Sequence, residues 1–498
     1  MRFRSSASFF LVAGALSAAC GARSGIECFG ETCSRLEENQ AGFDPDDDLP
    51  MGGRPQATAG SSGRGGSGGS GARGGRGGSS GRGGSGVAPE QIPSDTPIDT
   101  PATELCPDGT FNGSIDVSST EQLAALERCE VIDGDLTIFG VGIADLRPLS
   151  RLQTVTRALN IVSYGGTLDG LESLQAVDSF KLENTTVSTL EPLRGLRQLG
   201  GFTGFADTGV LRLKSNSNLS NLSGLGSLSQ ELSSIEISEN GALTSLAGLN
   251  VPGQLERLVL VDNPFLADVN GLEALQLAQT IVIENSLSLA NLSGLGNLQS
   301  VETLSLVNDV SLTELALPIG SINVLYLENV GVTNLNGLSN IIQIENAVIQ
   351  NNPNLVDIDR LGSIENLAEL SLINNPSLLR LPDFVGLTDL QQLHIRNNSL
   401  LAAGPGYPLV AEAGSVLISE NPSLTNLTGF ATLQRVRALD ISHNTSLVEV
   451  DLGTLGSARN VRIICNPALP ESPLASMLGS VAGTLDVWGN QGSTVACP

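Results

Sequence analysis

The chain has 498 residues, and its 52 Asp and Glu against 26 Lys and Arg give a formal charge of −26. A surface this acidic repels nucleic acid and anionic lipid headgroups, so it favours proteins, glycans or cations as partners. Only 3% of the residues are aromatic, one is Trp, and 58 are Gly. Several conventional cores would need more large rings, so either part of the chain is unfolded or its core is built from layers of small aliphatic side chains.

Residues 1–19 have the layout of an export signal, with two arginines at the start and an apolar stretch over residues 7–16. That stretch is too short to span a bilayer. Small residues then lead into Cys20. This arrangement resembles a bacterial lipobox, in which the cysteine is diacylated and becomes the mature N-terminus. The usual lipobox has Leu where this chain has Ser17, and ordinary signal cleavage just before the cysteine is the alternative.

The resemblance also implies a location. Gly21 follows Cys20, whereas an Asp there retains well-studied Gram-negative lipoproteins in the inner membrane. We therefore expect an exported protein that is lipid-anchored to the cell envelope, at the outer membrane or the cell surface of a Gram-negative bacterium. The N-terminal lipid would be its only contact with the membrane.

Seven cysteines are present, and lipid on Cys20 leaves an even set of six in an oxidising compartment. Such a set favours disulfides, although sequence alone allows many pairings. Proximity along the chain suggests three bonds, one per structural block: Cys28–Cys33, Cys106–Cys129 and Cys465–Cys497.

A short acidic, Cys-containing segment over residues 20–51 precedes a linker over residues 52–105, which is rich in Gly, Ser and Arg and then in Pro. Nothing in this linker can offset the entropy of ordering, so we predict that it is disordered. Its Arg-Gly-Gly triplets also occur in proteins that bind single-stranded nucleic acid. Those proteins stack bases on aromatic side chains, and residues 52–86 contain none, so we read a tether and expect no nucleic-acid partner.

Residues 106–135 predict an N-terminal cap, in which Ser119 or Thr120 begins a short helix over Glu121–Arg128. A repeat then occupies residues 136–464, and its unit reads apolar-x-apolar-x-x-Asn, often followed by Pro-x-Leu. A C-terminal cap over residues 465–498 completes the chain. The predicted strand starts are Leu136, Leu159, Phe180, Leu211, Ile235, Leu258, Ile281, Leu304, Leu325, Ala347, Leu370, Leu393, Val416, Leu439, Val461 and Leu485.

Steps between these starts are 21 to 24 residues, except for a step of 31 from Phe180 to Leu211 that indicates an inserted loop near residues 200–209. This period and pattern are the leucine-rich-repeat signature. Each unit supplies a short strand with two inward aliphatic side chains, and stacking of units makes a continuous core. The Asn turns inward at the end of the strand, where its amide can satisfy backbone groups. We predict a parallel β-sheet solenoid with little α-helix and with short 3₁₀ or extended segments across its back.

The segment from Cys129 to Ile138, together with the Asn-Pro-x-Leu turns and Gly-Leu-x-x-Leu backs, resembles the receptor L domains and their bacterial relatives. Receptor L domains are the ligand-binding repeats of insulin-type and epidermal-growth-factor-type receptors. In that family a cysteine before the capping helix pairs with one after it, which implies the bond Cys106–Cys129. The resemblance covers residues 106–498 and concerns the fold. Because this array is one long run, no receptor contact residue carries over.

No enzyme site is visible in the sequence, so we predict a protein that is not an enzyme and uses no cofactor. The two histidines, His394 and His443, lie two to three repeats apart, and no Cys or carboxylate cluster has metal-ligand spacing. Gly-x-Ser-x-Gly occurs only within the Gly- and Ser-rich linker, at residues 65–69 and 77–81, and the phosphate-binding loop motif is absent. We interpret both histidines as surface residues.

The outward side of the predicted sheet carries an apolar patch over about the sixth to the tenth strand. Exposed apolar patches of this extent mark interaction sites, although Val is also a favoured strand residue. The candidate ligand surface comprises Val259, Val261, Val282, Glu284, Val307, Val324, Tyr326, Glu328, Val348, His394 and Arg396. We expect a recognition protein that presents this surface to a protein or glycan. A structural envelope or matrix component with no specific ligand is the alternative.

Overall fold

A computed structural model describes residues 105–202, 208–228, 232–338, 340–453, 455–479, 481–495 and 497, together with the backbone of 28–29 and 32–33. Two compact units divide the chain, residues 1–91 and 92–498. Within the first unit, strands β1 (Cys28–Phe29) and β2 (Thr32–Cys33) pair antiparallel with Cys28 opposite Cys33. The predicted signal, Cys20 and residues 52–104 lie outside the described residues, and the bond Cys28–Cys33 stays a prediction.

The second unit begins with a cap made of strands β3 (Thr110–Asn112), β4 (Ile115–Val117) and β5 (Val131–Asp133) and of helix α1 (Thr120–Ala124). Ser119 caps the helix: its hydroxyl accepts from the Gln122 amide, and the Gln122 side chain accepts from the Ser119 amide. The predicted end of the helix at Arg128 is wrong. Tighter bonds such as Leu126 N–H to the Leu123 carbonyl replace the helix and lead to Cys129, which is bonded to Cys106.

The repeats form one sheet of 20 strands, in which every described pairing is parallel. After the cap its strands are β6 (Leu136–Gly140), β7 (Thr154–Tyr164), β8 (Ala176–Glu183), β9 (Gln198–Leu199), β10 (Val210–Lys214), β11 (Ser234–Ser238), β12 (Gln254–Val261), β13 (Leu277–Glu284), β14 (Ser300–Val307), β15 (Ser321–Glu328), β16 (Gln343–Gln350), β17 (Glu369–Ile373), β18 (Leu390–Arg396), β19 (Glu412–Ser419), β21 (Arg435–Ser442), β23 (Ser457–Ile464) and β24 (Ala482–Trp488).

The register confirms the predicted repeat. Each predicted strand start pairs with the next one along the chain, from Leu136 opposite Leu159 to Val461 opposite Leu485. The long step is no exception, because Phe180 lies opposite Leu211, so the extra residues fall within a single turn. Strand β4 adds a turn before the first predicted one, since Ile115 pairs with Leu136.

The core runs along the whole array, because the two aliphatic side chains of each internal strand are buried. The backs are short, as predicted: four 3₁₀ turns, η1 (Arg147–Leu149), η2 (Glu191–Leu193), η3 (Ser293–Leu295) and η4 (Asp359–Ser363), and a two-strand pair, β20 (Asn426–Leu427) with β22 (Glu449–Val450). Near the C-terminal end the rings of Phe384, Tyr407 and Phe430 lie in consecutive turns: the first two stack with centroids 5.1 Å apart, and Phe430 is tilted against Tyr407 with centroids 5.3 Å apart.

The C-terminal cap contains a helix that the sequence reading missed, α2 (Glu471–Leu478). Its buried Leu474 and Leu478 are four residues apart, so they lie on one helical face and cover the last turns. The bond Cys465–Cys497 joins the cap to the end of β23, with the two Cα atoms 5.5 Å apart. Leu485 of β24 is exposed, as expected of a terminal strand with no further turn against it.

Candidate functional site

The end of each strand is held by a ladder of buried asparagines. In Asn398 the side-chain nitrogen donates to the carbonyls of Leu372 and Arg396 at 2.9 and 3.1 Å, and the side-chain oxygen accepts from the Asn375 amide at 3.0 Å. The same pattern links neighbouring turns along the array. The ladder asparagines are Asn216, Asn240, Asn263, Asn352, Asn375, Asn398, Asn421, Asn444, Asn466 and Asn490. The fold is a leucine-rich-repeat solenoid.

A second, exposed ladder lies beside the first. The residue before each buried position has a positive φ, for example 56° at Asn351 and 55° at Asn374, where Asn is among the best-tolerated residues with a side chain. The Asn374 amide donates to the Asn351 side-chain oxygen at 3.0 Å, and Asn397 donates in turn to Asn374. These side chains therefore hydrogen-bond one another along the edge of the sheet.

The sheet face is the side of the sheet that points away from the core, and its middle is apolar. In the residue column between the paired aliphatics, strands β12, β13, β15 and β16 carry Val259, Val282, Tyr326 and Val348. Val259 is buried at 7% exposure, because side chains of adjacent strands cover it. The other three are partly buried, so this apolar strip is less exposed than the sequence predicts.

Val261, Val307 and Val324 lie on the same face in the flanking columns, and all three are partly buried. The structure therefore brings together the apolar part of the predicted surface. His394 and Arg396 also lie on this face, but two strands beyond Val348.

Tyr326 is the one aromatic residue in the strip, and its hydroxyl is held on both sides. It donates to a Glu328 carboxylate oxygen at 2.5 Å and accepts from the Gln350 amide at 2.8 Å. Burial and the neighbouring Glu328 raise the pKa of the phenol far above its usual value, so it stays protonated. The ring is consequently fixed in orientation before any partner arrives.

Glu284 and Glu328 occupy one residue column, with Val307 between them. Burial, Asp262 and Glu328 raise the pKa of the Glu284 carboxyl above its ordinary value. Glu328 accepts from Tyr326 and from the Asn351 amide, which are neutral donors. Carboxylates thus line the strip, and the partners that the described residues give them are neutral.

Ion pairs cross the strands on both sides of the strip. Toward the N-terminus Arg212 contacts Glu183 and Glu236, and toward the C-terminus Arg396 contacts Glu420 at 3.0 Å. The charges on the flanking faces therefore neutralise one another, whereas none of these ion pairs includes a carboxylate of the strip.

The buried ladder is interrupted in three successive turns beneath the strip, at Ser286, Asp309 and Val330. Asp309 accepts from the Ser286 amide at 3.0 Å with one carboxyl oxygen, and its other oxygen is buried without a partner. Burial and, to a lesser extent, nearby Glu284 raise the pKa of the Asp309 carboxyl to about 8. The sequence reasoning missed this interruption, although the missing Asn at three successive repeat positions could have revealed it.

His394 is covered more than a surface histidine would be, which corrects the sequence interpretation. Its Nε2 atom is buried without a partner, and burial and Arg396 lower the pKa of the imidazole to about 4. The side chain is neutral at physiological pH. Within the described residues no group of three or more His, Cys, Asp and Glu could hold a metal ion. In the same part of the chain no helix is long and apolar enough to cross a membrane.

Comparisons with protein-family models and with curated proteins give no match. Among solved structures, TLR13 in complex with ssRNA13 is 17% identical with a TM-score of 0.26, over 76% of this chain and 65% of that chain, which is less than two thirds of it. An internalin, InlF of Listeria monocytogenes, is 17% identical with a TM-score of 0.25, over 80% and 89%. The leucine-rich-repeat domain of the type III effector XopL is 15% identical with a TM-score of 0.19, over 56% and 70%.

Proposed function

We propose that this protein is an exported, lipid-anchored recognition protein that binds a partner protein on the apolar strip of its sheet face, with Tyr326 as the anchor. It acts by binding and not by catalysis. One observation carries the proposal: across strands β12–β16 the face changes from paired charges to aliphatic side chains around a single oriented ring. Aromatic residues at the centre of an apolar patch are the usual hot spots of protein interfaces.

The chemistry of the strip favours a protein over a glycan. A glycan presents mostly hydroxyl groups, which need free hydrogen-bonding partners. The polar side chains bordering the strip already bond one another, as Gln350 does with Tyr326 and Asn351 with Glu328. An aliphatic floor is better matched by apolar side chains of another protein, whose burial is favourable in proportion to its area.

Anchoring through Cys20 completes the proposal, and it is supported by the residues before Cys20 and by the disulfides Cys106–Cys129 and Cys465–Cys497, which suit an oxidising compartment. A linker of about 50 residues would reach on the order of 40 Å. Labelled palmitate should enter the wild-type protein and not a Cys20→Ser variant. Equal labelling of the two would show that the anchor is wrong.

The binding proposal is tested with a partner isolated from envelope fractions by affinity capture, purified, and titrated against variants. Tyr326→Ala should weaken binding by about 2 kcal/mol or more, because a truncated hot spot loses both its ring contacts and the pocket around them. The free energy of unfolding should change by about 1 kcal/mol or less, since the ring lies outside the core.

Ile342→Ala is the matched control, because Ile342 is a large apolar residue, 64% exposed, on the loop between β15 and β16. It should leave the affinity unchanged. Equal affinity of the Tyr326→Ala variant and the wild type would refute the anchor. Failure to find any saturable partner would favour a purely structural component of the envelope.

A further inference from the structure

The middle of the array has no basic side chains. Residues 258–359, a stretch of 102, contain no Lys, Arg or His. At the frequency of the whole chain, 26 Lys and Arg in 498 residues, about five would be expected in such a stretch. The same stretch keeps eleven Asp and Glu. The stretch is therefore unusual in lacking basic residues, whereas its density of carboxylates is ordinary.

This base-free stretch contains the residues of the apolar strip from Val259 onward, and Arg257, also on β12, lies immediately before it. Among the described residues the ion pairs lie on its flanks, as in the pairs of Arg212 with Glu236 and of Arg462 with Asp440, and the pair of Arg380 with Asp359 reaches only the last residue of the stretch. On the flanks, therefore, carboxylates on the sheet face are neutralised from within the molecule. On strands β13–β15 the salt bridges of the described residues supply no such neutralisation.

Two of the unpaired carboxylates are built into the strip. Glu284 and Glu328 occupy the same residue column, separated by Val307, and Glu284 is also close to Asp262 at the end of β12. Each is partly buried, and the donors described for them, from Asn285 at 3.5 Å, Tyr326 and Asn351, are neutral. The raised pKa of Glu284 shows that partial burial without a cation is unfavourable to its charge.

We propose that the partner on the sheet face is a basic protein segment, which places Lys or Arg side chains against Glu284 and Glu328 while its apolar side chains cover Tyr326 and the valines. This rests on the proposed function and names the chemistry of the partner. The residue column that contains Glu284 and Glu328 alternates apolar and acidic positions across strands β12–β15. Its members are Val261, Glu284, Val307 and Glu328. Its complement is a surface in which apolar and cationic side chains alternate.

The interaction has a clear physical signature. Carboxylates that are already partly desolvated lose less hydration when a partner arrives, so a cation gains more from them than from fully exposed groups. Complementary charge also accelerates the encounter, and added salt slows that step. Association should therefore be fast at low salt and fall steeply as salt rises, while dissociation reports mainly on Tyr326 and the valines.

The probe is a phage-displayed library of random dodecapeptides, selected on the full-length protein purified in detergent. Enriched peptides should carry Lys or Arg next to aliphatic or aromatic residues, in excess over the unselected library. Glu284→Gln with Glu328→Gln should then weaken binding of the synthetic peptides by about tenfold or more and flatten its salt dependence.

Glu302→Gln with Glu345→Gln is the matched control. Glu302 and Glu345 are exposed, belong to strands of the same stretch, and lie near the opposite ends of those strands. The net charge changes equally in the two pairs, so only local recognition separates them. The control should bind as the wild type does.

Each remaining outcome decides against the inference. Equal weakening by both pairs would mean a long-range effect of net charge, and acidic or neutral peptides that lose binding on Tyr326→Ala would leave the proposed function standing without a basic partner. Peptides that bind the Tyr326→Ala and Glu284→Gln/Glu328→Gln variants as tightly as the wild type would refute both.

Discussion

At the scale of single residues, two neighbouring positions shape every turn. The sequence predicts the inward Asn because it recurs after most strands, and the structure confirms its role. The positive φ of the residue before it is not predictable from the repeat, since that place holds residues as different as Asn374, Glu420, His443 and Cys465. The ladder forces the left-handed conformation on whichever residue precedes it, and the pattern of residue types hides that fact.

Asn398→Ala should lower the free energy of unfolding by about 3–5 kcal/mol, because two carbonyls and one amide lose their partners inside the core. The control is Asn397→Gly, next in the chain and exposed, with φ of 54°. Glycine adopts that conformation without strain, so this change should cost about 1 kcal/mol or less. Urea unfolding of both variants gives the comparison, and similar losses would contradict a special role for the buried ladder.

Asp309→Asn should stabilise the protein, and more so as pH rises. The Asp309 carboxyl has a pKa of about 8 in the folded protein, against about 3.9 in an unfolded chain, so the folded state holds the proton more tightly. The stability that the protonated form supplies is complete below pH ~4 and is lost as pH rises toward 8. Asn keeps the ladder bond to Ser286 at every pH.

Urea midpoints of the wild type and Asp309→Asn between pH 4 and 9 test this. The difference between their free energies of unfolding should grow by at most about 1.4 kcal/mol per pH unit and level off above pH 8. Glu284→Gln should lower the Asp309 pKa slightly, because it removes a nearby negative charge. A difference that stays constant across this range would show that Asp309 does not titrate in the folded state.

At the scale of elements, period and polarity predict the internal strands closely, because every unit meets the same neighbours and each strand must place two aliphatics inward. The ends follow other rules. Helix α1 stops four residues early where the chain tightens into Cys129, and helix α2 lies in the C-terminal cap, where the repeat pattern no longer applies. The sequence did not predict the partial burial of Val282 and Tyr326 either. Alternation predicts that their column is exposed, but side chains of the adjacent strands partly cover it.

The bond Cys465–Cys497 should stabilise the C-terminal end of the array, where no further turn covers the core. Replacing both cysteines by Ser should lower the free energy of unfolding by about 3–4 kcal/mol, since the bond closes a loop between residues 32 apart. Ser suits position 465, whose φ is 54°, because Ser163 and Ser215 adopt the same conformation in other turns.

Mass mapping under non-reducing conditions should recover these two cysteines in one cross-linked peptide. Hydrogen exchange should accelerate first in β23 and β24 of the double variant, because each turn depends on its neighbours. A free thiol at either position in the native protein would contradict the pairing, and unchanged exchange would deny it a stabilising role.

At the scale of the whole molecule, composition predicted the kind of core but not the place of the binding face. A net charge of −26 says nothing of where the charges are neutralised, and only the structure shows that Arg212, Arg396 and Arg462 pair across the flanking strands. The alternation of residues predicts the apolar columns. Only the register of the strands shows that these columns lie beside the interrupted ladder and within the stretch free of basic residues.

Site-specific photo-crosslinking in living cells tests the central claim, that a partner binds the sheet face, most directly. A photoreactive residue is placed at Val282 or Val348 on the face, and at Ile342 or Val385, which are exposed elsewhere on the same array. Adducts to one partner should form from the two face positions and be absent from the other two. Adducts of equal yield from all four positions, or from Ile342 and Val385 alone, would contradict binding on the sheet face.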